Sequence, residues 1–186
     1  MKRIVVIFGM MGTGKTTMAK ALGQDLGWPV VHSDAVRKTL AGLTPTTPTP
    51  AEFGKGIYDE DFSRRTYEEM LNQAKAHLAA GQSVILDGSY KRAAERDLVQ
   101  QLAREQGAKA IFLYCNCPLD IVKERLDIRA QDPKSISDGR KELLEAQAKD
   151  FDLVDFTLPD FWGINTGKEL TEVLEKVKFL LSRKEK

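Results

Sequence analysis

Short apolar runs alternate along this chain with longer segments in which apolar residues recur every three or four positions. The short runs are typical of buried strands, and the longer segments predict amphipathic helices. The predicted strands cover residues 4–8, 83–87, 109–115 and 161–165, and one more starts at 30–31 and ends at 32–34. The predicted helices cover residues 15–26, 93–106 and 138–149, one that starts near Pro118, and two marked by a shared apolar face: Phe62, Tyr67, Met70, Leu71, Ala74 and Leu78, and later Leu170, Val173, Leu174, Val177, Leu180 and Leu181.

Strands that alternate with helices indicate a parallel sheet covered by helices on both faces. We therefore predict one domain over residues 1–186, an α/β/α sandwich of three layers around a mainly parallel, five-stranded sheet. A proline-rich stretch, TPTTPTP at 44–50, lies inside a predicted substrate-binding insertion at about 40–61. Ligands of such folds bind at the carboxyl ends of the strands, where the polar motifs of this chain fall.

The segment GMMGTGKT at residues 9–16 fits the phosphate-loop pattern G-x-x-x-x-G-K-[ST] and stands between an apolar strand and a helix, as the pattern requires. Glycines let the backbone N–H groups point at phosphate oxygens, and the helix N-terminus adds partial positive charge. Lys15 is predicted to reach the outer phosphates, and Thr16 to ligate Mg²⁺. The predicted nucleotide contacts are Gly9, Met11, Gly12, Thr13, Gly14, Lys15, Thr16 and Thr17, with a chance glycine-rich turn, and for Thr17 a plain helix-start residue, as alternatives.

Asp34 and Arg37 follow the second predicted strand and are separated by one helical turn. At a strand tip beside the phosphate loop, Asp34 is a candidate general base for the proton of an attacking hydroxyl. Arg37 is a candidate to hold an anionic group of the acceptor or the transferred phosphoryl group. The alternative for Asp34 is a helix cap, a role that is compatible with catalysis.

Asp87 ends the third predicted strand and is a candidate Mg²⁺ ligand, directly or through water. The alternatives are that it binds the acceptor or caps the strand end. Arg92 and Arg96 lie on the helix that follows, where they either act in the site or form a solvated basic face. Tyr90 likewise has two interpretations, since its ring either faces the acceptor or packs.

Arg125 and Arg129 lie four residues apart on a predicted helix and project in the same direction. A flexible turn, AQDPK, follows them, so that residues 125–137 are predicted to form a helical lid. Two guanidinium groups on a lid would neutralise the charge that develops on a transferred phosphoryl group. Ion pairs with Glu124 or Asp127 are the alternative.

Composition narrows the classes of function. Hydrophobic residues make up 42% and charged residues 30%, as in ordinary soluble proteins. The net charge of +1 disfavours a strongly basic nucleic-acid binder, and no apolar run is long enough to span a membrane. Cys115 and Cys117 are too close in sequence to form a disulfide and are predicted to be reduced thiols, which suits the cytoplasm. We expect a monomer or a homodimer.

The order of these motifs resembles that of the small P-loop kinases that phosphorylate hydroxyl groups, such as gluconate and shikimate kinases, chloramphenicol phosphotransferase, zeta-type toxins and polynucleotide kinase. The resemblance rests on the phosphate loop, DAVR at 34–37, Asp87 and the arginine pair, and it covers most of the chain. It implies a nucleoside-kinase-like P-loop fold and the Mg²⁺-dependent transfer of the γ-phosphate of ATP to an alcohol, with Asp34 as base. It also implies adenine contacts from the loop at 165–168, which includes Thr166.

A small hydroxyl-bearing acceptor is the preferred prediction, with two functions kept as alternatives. A polynucleotide 5′-hydroxyl kinase is disfavoured because the loop at 44–58 carries only Glu52 and Lys55 as charged residues. A P-loop ATPase without an acceptor is disfavoured because the chain has no NKxD guanine motif, no LSGGQ signature and no recognisable water-positioning residue. Three further residues either line an acceptor pocket or have only structural or solvated roles: Tyr58, Arg64 and Arg65.

Overall fold

A five-stranded sheet forms the centre of the protein in the computed structural model, which describes residues 1–47, 55–131 and 141–182. The strands are β1 (Lys2–Phe8), β2 (Val30–His32), β3 (Val84–Asp87), β4 (Ala108–Asn116) and β5 (Phe161–Asn165). The helices are α1 (Lys15–Leu26), α2 (Ser33–Leu40), α3 (Glu60–Ala79), α4 (Ala93–Glu105), α5 (Leu119–Arg129), α6 (Leu144–Lys149) and α7 (Leu170–Ser182), with 3₁₀ turns at Gly56–Tyr58 and Lys141–Leu143. Among these described helices, none combines the length and the hydropathy needed to cross a lipid bilayer.

The strand order is β2-β3-β1-β4-β5, and all paired strands run parallel. This confirms the predicted five-stranded sheet. Because β3 lies between β1 and β2, the carboxyl ends of these three strands stand side by side. In the register of the sheet, Asp87 is opposite Ile7 of β1 on one side and His32 of β2 on the other. The phosphate loop and both predicted aspartates therefore meet at one edge.

Alternate residues of each central strand face opposite layers of helices. Ile4, Val6 and Phe8 of β1 share one core with residues of α3 and α4. Val5 and Ile7 of β1 share the other core with residues of α1 and α7. All five side chains are fully buried, as expected for a strand in the middle of a parallel sheet. The three-layer sandwich is thereby confirmed.

Three predicted segments fall partly on residues outside the described ranges. The predicted helix at 138–149 is described from residue 141, where a 3₁₀ turn leads into α6. The predicted lid at 125–137 is described as far as residue 131. The predicted substrate-binding insertion at 40–61 is described except for residues 48–54. The lid and the insertion stay predictions.

The start of α4 holds the chain segment that follows α6. The Arg92 guanidinium donates hydrogen bonds to Oδ1 (2.5 Å) and to the carbonyl oxygen (2.9 Å) of Asp150. Arg96 is buried and donates to the carbonyl oxygens of Tyr90 (2.7 Å) and Leu153 (2.9 Å). The interpretation as a solvated basic face is therefore wrong for Arg96. Its buried guanidinium instead joins the chain after α6 to the loop after β3.

Replacing Arg96 by alanine is expected to lower the free energy of unfolding by about 2–4 kcal/mol, because two backbone carbonyl oxygens lose a charged donor. Urea denaturation of the parent and the variant measures this change. Arg104→Ala is the matched control, since Arg104 is exposed on the same helix and should change the stability by less than about 0.5 kcal/mol. Equal effects of the two substitutions would show that the buried contacts of Arg96 add no stability.

Candidate nucleotide and acceptor site

The phosphate loop joins the end of β1 to the start of α1. Thr13 Oγ1 (2.8 Å) and Lys15 Nζ (2.6 Å) both donate hydrogen bonds to the carbonyl oxygen of Met10, which links the two sides of the loop. Burial lowers the pKa of Lys15, and the carboxylates of Asp87 and Asp34 act in the opposite direction. The Lys15 ammonium therefore lies within electrostatic range of both strand-tip aspartates.

The predicted nucleotide contacts Gly9 to Thr17 occupy this loop and the first turn of α1. Thr13 is buried within the loop, whereas Thr17 is exposed. α1 begins directly after Gly14, so its free backbone N–H groups belong to the loop end that holds Lys15 and Thr16.

Helix α5 packs directly on the phosphate loop, and Gly12 permits this close approach. Gly12 has a φ of +74°, in the left-handed region that favours glycine. A Cβ atom there would lie 2.8 Å from Val122 Cγ1 and 3.0 Å from Leu126 Cγ. The helix that carries Arg125 and Arg129 is thus seated against the loop.

Arg125 lies on the side of the phosphate loop where β5 ends. Its Nη2 donates to the carbonyl oxygen of Thr166 (2.7 Å) and its Nη1 to Cys117 Sγ (3.4 Å). The Thr166 hydroxyl in turn lies within hydrogen-bonding distance of two carbonyl oxygens, those of Thr13 (2.5 Å) and Asn116 (2.8 Å), between which it shares its one proton. The structure therefore brings Arg125 and Thr166 together beside the loop.

Arg129 lies about 6 Å further along the axis of α5, because four residues rise by that distance in an α-helix. Burial lowers its pKa, and Asp34 and Asp87 act against that effect. Arg129 is thus influenced by the two strand-tip carboxylates, whereas Arg125 bonds to Thr166 and Cys117. The two arginines, predicted to act together, still influence each other, because the charge of Arg125 is among the causes that lower the pKa of Arg129.

Asp87 connects the phosphate loop with the tip of β2. Its Oδ2 accepts a hydrogen bond from Thr16 Oγ1 (2.7 Å) and lies 2.8 Å from His32 Nδ1. Its Oδ1 is buried and has no hydrogen-bond partner among the described residues. Mg²⁺ in P-loop proteins takes a hydroxyl and a carboxylate from the protein, and water and phosphate complete its shell. The Thr16–Asp87 pair fits such an ion.

Asp34 lies in the first turn of α2, whose N-cap residue is His32 and makes no side-chain capping hydrogen bond. The structure therefore does not place Asp34 at the N-cap, the position that the capping alternative requires. Its carboxylate contributes to the electrostatic surroundings of Lys15 and Arg129. A general base for a hydroxyl that attacks a phosphate in the loop has to lie in such a position.

Arg37 is buried between α2 and the start of α3. Its Nη1 donates to the carbonyl oxygen of Ile57 (2.7 Å) and to Ser63 Oγ (3.1 Å), and its guanidinium lies 4.8 Å from the ring centroid of Tyr58. Its Nε is buried without a partner in the described part of the chain. Arg37 thus links the turn at Gly56–Tyr58 to α2, and the N–H group at its Nε stays without a hydrogen-bond partner among the described residues.

The other candidates for the acceptor pocket fall into two groups. Arg64 and Arg65 are exposed on α3 and make contacts within their own helix, as the solvated alternative for them predicts. Tyr90 is buried, and its ring centroid lies 4.7 Å from that of Tyr67. The interpretation that the Tyr90 ring packs in the protein is therefore correct. Its hydroxyl, however, has no hydrogen-bond partner among the described residues.

Two polar residues of this site were missed by the sequence analysis. Gln147 of α6 is buried, and its Oε1 accepts a hydrogen bond from the backbone N–H of Met11 in the phosphate loop (2.7 Å). No spacing links these two residues, which are 136 positions apart. His32, which contacts Asp87, could have been recognised from one feature of the sequence. It lies at the end of a predicted strand, two residues before Asp34.

The fold and the site together define a class of protein. A parallel α/β sandwich with a phosphate loop and aspartates on the two neighbouring strand tips is the architecture of the small P-loop kinases. A sugar kinase from Janibacter sp. HTCC2649 has this fold, with a TM-score of 0.69, 20% sequence identity, and coverage of 97% of this chain and 95% of that chain. The chain belongs to the AAA domain family AAA_33, whose model matches residues 4–154.

Two sequence relatives each match about 70% of this chain. Uncharacterized protein Rv2004c of Mycobacterium tuberculosis is 30% identical over 128 residues, which are 69% of this chain and 26% of that protein. A shikimate kinase of Rhodopseudomonas palustris is 28% identical over 131 residues, which are 70% of this chain and 58% of that enzyme. The chain thus spans about a quarter of the mycobacterial relative and somewhat more than half of the shikimate kinase.

Proposed function

We propose that this protein is an ATP- and Mg²⁺-dependent kinase that transfers the γ-phosphoryl group to a hydroxyl of a small molecule. One arrangement carries the proposal: the carboxyl ends of β1, β3 and β2 stand side by side, so that Asp34, in the first turn of the helix after β2, lies at the edge of the sheet that carries the phosphate loop and Asp87. A carboxylate in this position can act as the general base of a kinase, because the acceptor hydroxyl has to lose a proton during the transfer. The names of the relatives, shikimate kinase and sugar kinase, support a small acceptor.

Each residue of the site has a separate task in this proposal. The loop N–H groups and Lys15 hold the phosphates, and Thr16 and Asp87 would hold Mg²⁺, which would supply further positive charge beside them. Asp34 accepts the hydroxyl proton as the acceptor oxygen bonds to the γ-phosphorus and the bond from phosphorus to the ADP oxygen breaks. Arg129 donates hydrogen bonds to the phosphoryl oxygens during the transfer.

An acceptor screen tests the proposal. ADP release with ATP and Mg²⁺ is measured for a panel of polyols, sugars, hydroxy acids and a 5′-hydroxyl oligonucleotide, each against the background without acceptor. We expect at least one small hydroxyl compound to raise the rate. A rate raised only by the oligonucleotide, and falling steeply with salt, would support the polynucleotide alternative instead. A rate that no acceptor raises would support an ATPase.

Arg125→Ala and Arg129→Ala are expected to have different kinetic effects. Arg125 bonds to Thr166 beside the loop, so we propose that both residues border the bound nucleotide, and Arg125→Ala should raise the KM for ATP about tenfold. Arg129 lies near the two carboxylates, so Arg129→Ala should lower kcat about 100-fold with little change in ATP affinity. Steady-state kinetics of both variants measure the difference, and the same pattern for both would contradict the assignment.

We also propose a cytoplasmic location, on the basis of the two cysteines. Cys115 and Cys117 are both free thiols. Burial raises the pKa of Cys115 to about 12, so this thiol stays protonated and unreactive at neutral pH. A monomer or homodimer stays a prediction.

A further inference from the structure

Tyr90 combines two features that are uncommon in a folded protein. Its φ of 42° is the only positive value among the non-glycine residues that the structure describes. Its hydroxyl is buried, with 1% of the residue exposed, and has no hydrogen-bond partner in the described ranges. Backbone strain of this kind concentrates at functional sites, and a buried hydroxyl without a partner calls for an explanation.

The phenol lies between the tips of β2 and β3. A Cβ atom on Gly88 would lie 3.2 Å from Tyr90 Cε2 and equally far from Ser33 Oγ, so the hydroxyl-bearing edge of the ring and Ser33 share one side of Gly88. Ser33 directly precedes Asp34, and Gly88 directly follows Asp87. Burial raises the pKa of Tyr90, and Tyr67, Glu95 and Asp87 contribute to the same effect. The phenol is therefore a neutral donor close to Gly88 and to Ser33, the residue that precedes Asp34.

Tyr67 holds Tyr90 in this strained conformation. The Tyr67 hydroxyl accepts a hydrogen bond from the backbone N–H of Tyr90 (3.1 Å) and lies 2.9 Å from Ser89 Oγ. Burial raises the pKa of Tyr67, Glu95 adds to this effect, and Arg37 opposes it. Two adjacent phenols thus differ in one respect, since the Tyr67 hydroxyl is bonded and the Tyr90 hydroxyl has no partner among the described residues.

The buried side-chain atoms without a partner are clustered. In the described part of the protein there are three, Arg37 Nε, Asp87 Oδ1 and Tyr90 Oη, and all belong to the tip of β3, the loop after it or the helix after β2. Asp87 Oδ1 is accounted for by the proposed Mg²⁺ site. Two donors, one on Arg37 and one on Tyr90, then remain without a partner among the described residues.

We propose that Tyr90 donates a hydrogen bond to a second oxygen of the acceptor, and that the acceptor is therefore a small molecule with another oxygen function close to the hydroxyl that is phosphorylated. This inference rests on the proposed kinase function and deepens it. It gives Tyr90 a role in acceptor specificity, since a buried donor left unpaired disfavours analogues that lack the second oxygen.

Tyr90→Phe and Tyr67→Phe form the matched pair that tests this inference. Both variants keep the ring, and each loses one hydroxyl. Thermal unfolding of the nucleotide-free protein should give a Tm for Tyr90→Phe that equals or exceeds that of the parent, because the lost hydroxyl had no partner among the described residues. Tyr67→Phe should have a lower Tm, because the Tyr67 hydroxyl that it removes has two hydrogen-bond partners.

Transfer is measured with [γ-³²P]ATP and a metabolite extract filtered to small molecules, which offers the protein many classes of hydroxyl compound at once. At low extract concentration, Tyr90→Phe should form labelled product at least about tenfold more slowly than the parent, and the difference should narrow at high concentration. Its affinity for AMPPNP should stay within about twofold of the parent value, because the proposed contact of Tyr90 is with the acceptor and not with the nucleotide.

Two results would overturn the inference about Tyr90: parent-like labelling by Tyr90→Phe, or a loss of Tm as large as that of Tyr67→Phe. A parent protein that binds AMPPNP but labels nothing in the extract would instead refute the proposed kinase function, and the inference with it. The outcomes are distinguishable, because the first two concern the variant alone and the third concerns the parent.

Discussion

Replacing Asp34 by asparagine should reduce acceptor-stimulated ADP release by about 100- to 10,000-fold, the range that a general base contributes. Asparagine has nearly the same shape as aspartate but cannot take up the hydroxyl proton. AMPPNP affinity should be unchanged or slightly higher, because Asp34 acts electrostatically on Lys15 and Arg129 and its removal leaves more positive charge for the phosphates. The measurements are ADP release with a saturating acceptor and calorimetric titration with AMPPNP.

The control for this experiment is Asp97→Asn, which removes the same charge from an exposed position on α4. It should leave both quantities unchanged. A variant at Asp34 that transfers phosphate as well as the parent would show that the base is another group or that none is needed. Loss of AMPPNP binding in the same variant would indicate that Asp34 supports the nucleotide site rather than proton transfer.

Replacing Lys15 by alanine should cripple every nucleotide-dependent activity, with a loss of at least about 1,000-fold in kcat/KM for ATP. The ammonium is the positive charge of the phosphate loop, and its removal also leaves Asp87 and Asp34 less compensated where the phosphates bind. Calorimetric titration with AMPPNP and background ADP release both measure this loss, and neither measurement requires an acceptor.

Lys20→Ala is the matched control, because Lys20 lies on the same helix and is exposed. Its nucleotide affinity and background hydrolysis should equal those of the parent. Circular dichroism of the Lys15 variant should show an intact fold. Parent-like affinity for AMPPNP in that variant would refute the phosphate loop as the nucleotide site, and with it the whole assignment of residues around it.

The sequence analysis identified those elements whose signal is local. The phosphate loop needs only eight consecutive residues between a strand and a helix, and 9–16 provide them. Asp34 and Asp87 were selected because each follows an apolar run, and such positions in parallel sheets come together at one edge. The strands were correctly predicted within a residue or two, because fully buried strands appear as nearly uninterrupted apolar runs.

The contacts that join distant parts of the chain could not be predicted in this way. Gln147 bonds to the phosphate loop across 136 positions, and Arg96 is buried by a segment that begins more than 50 residues later. The arginine pair shows the same limit, since helical spacing predicts a shared direction but not which neighbours each side chain meets. Thr166 meets Arg125, whereas the strand-tip carboxylates lie near Arg129.

The sequence by itself determined the class of fold and predicted the phosphate loop and the two aspartates as site residues, because these depend on residue types at short spacings. The tertiary structure alone decided that β3 lies between β1 and β2, which brings Asp87 into contact with both Thr16 and His32. It also decided that the Tyr90 hydroxyl is buried without a partner among the described residues. Strand order and side-chain pairing depend on how whole layers pack, and that information is spread over the entire chain rather than held in any one segment.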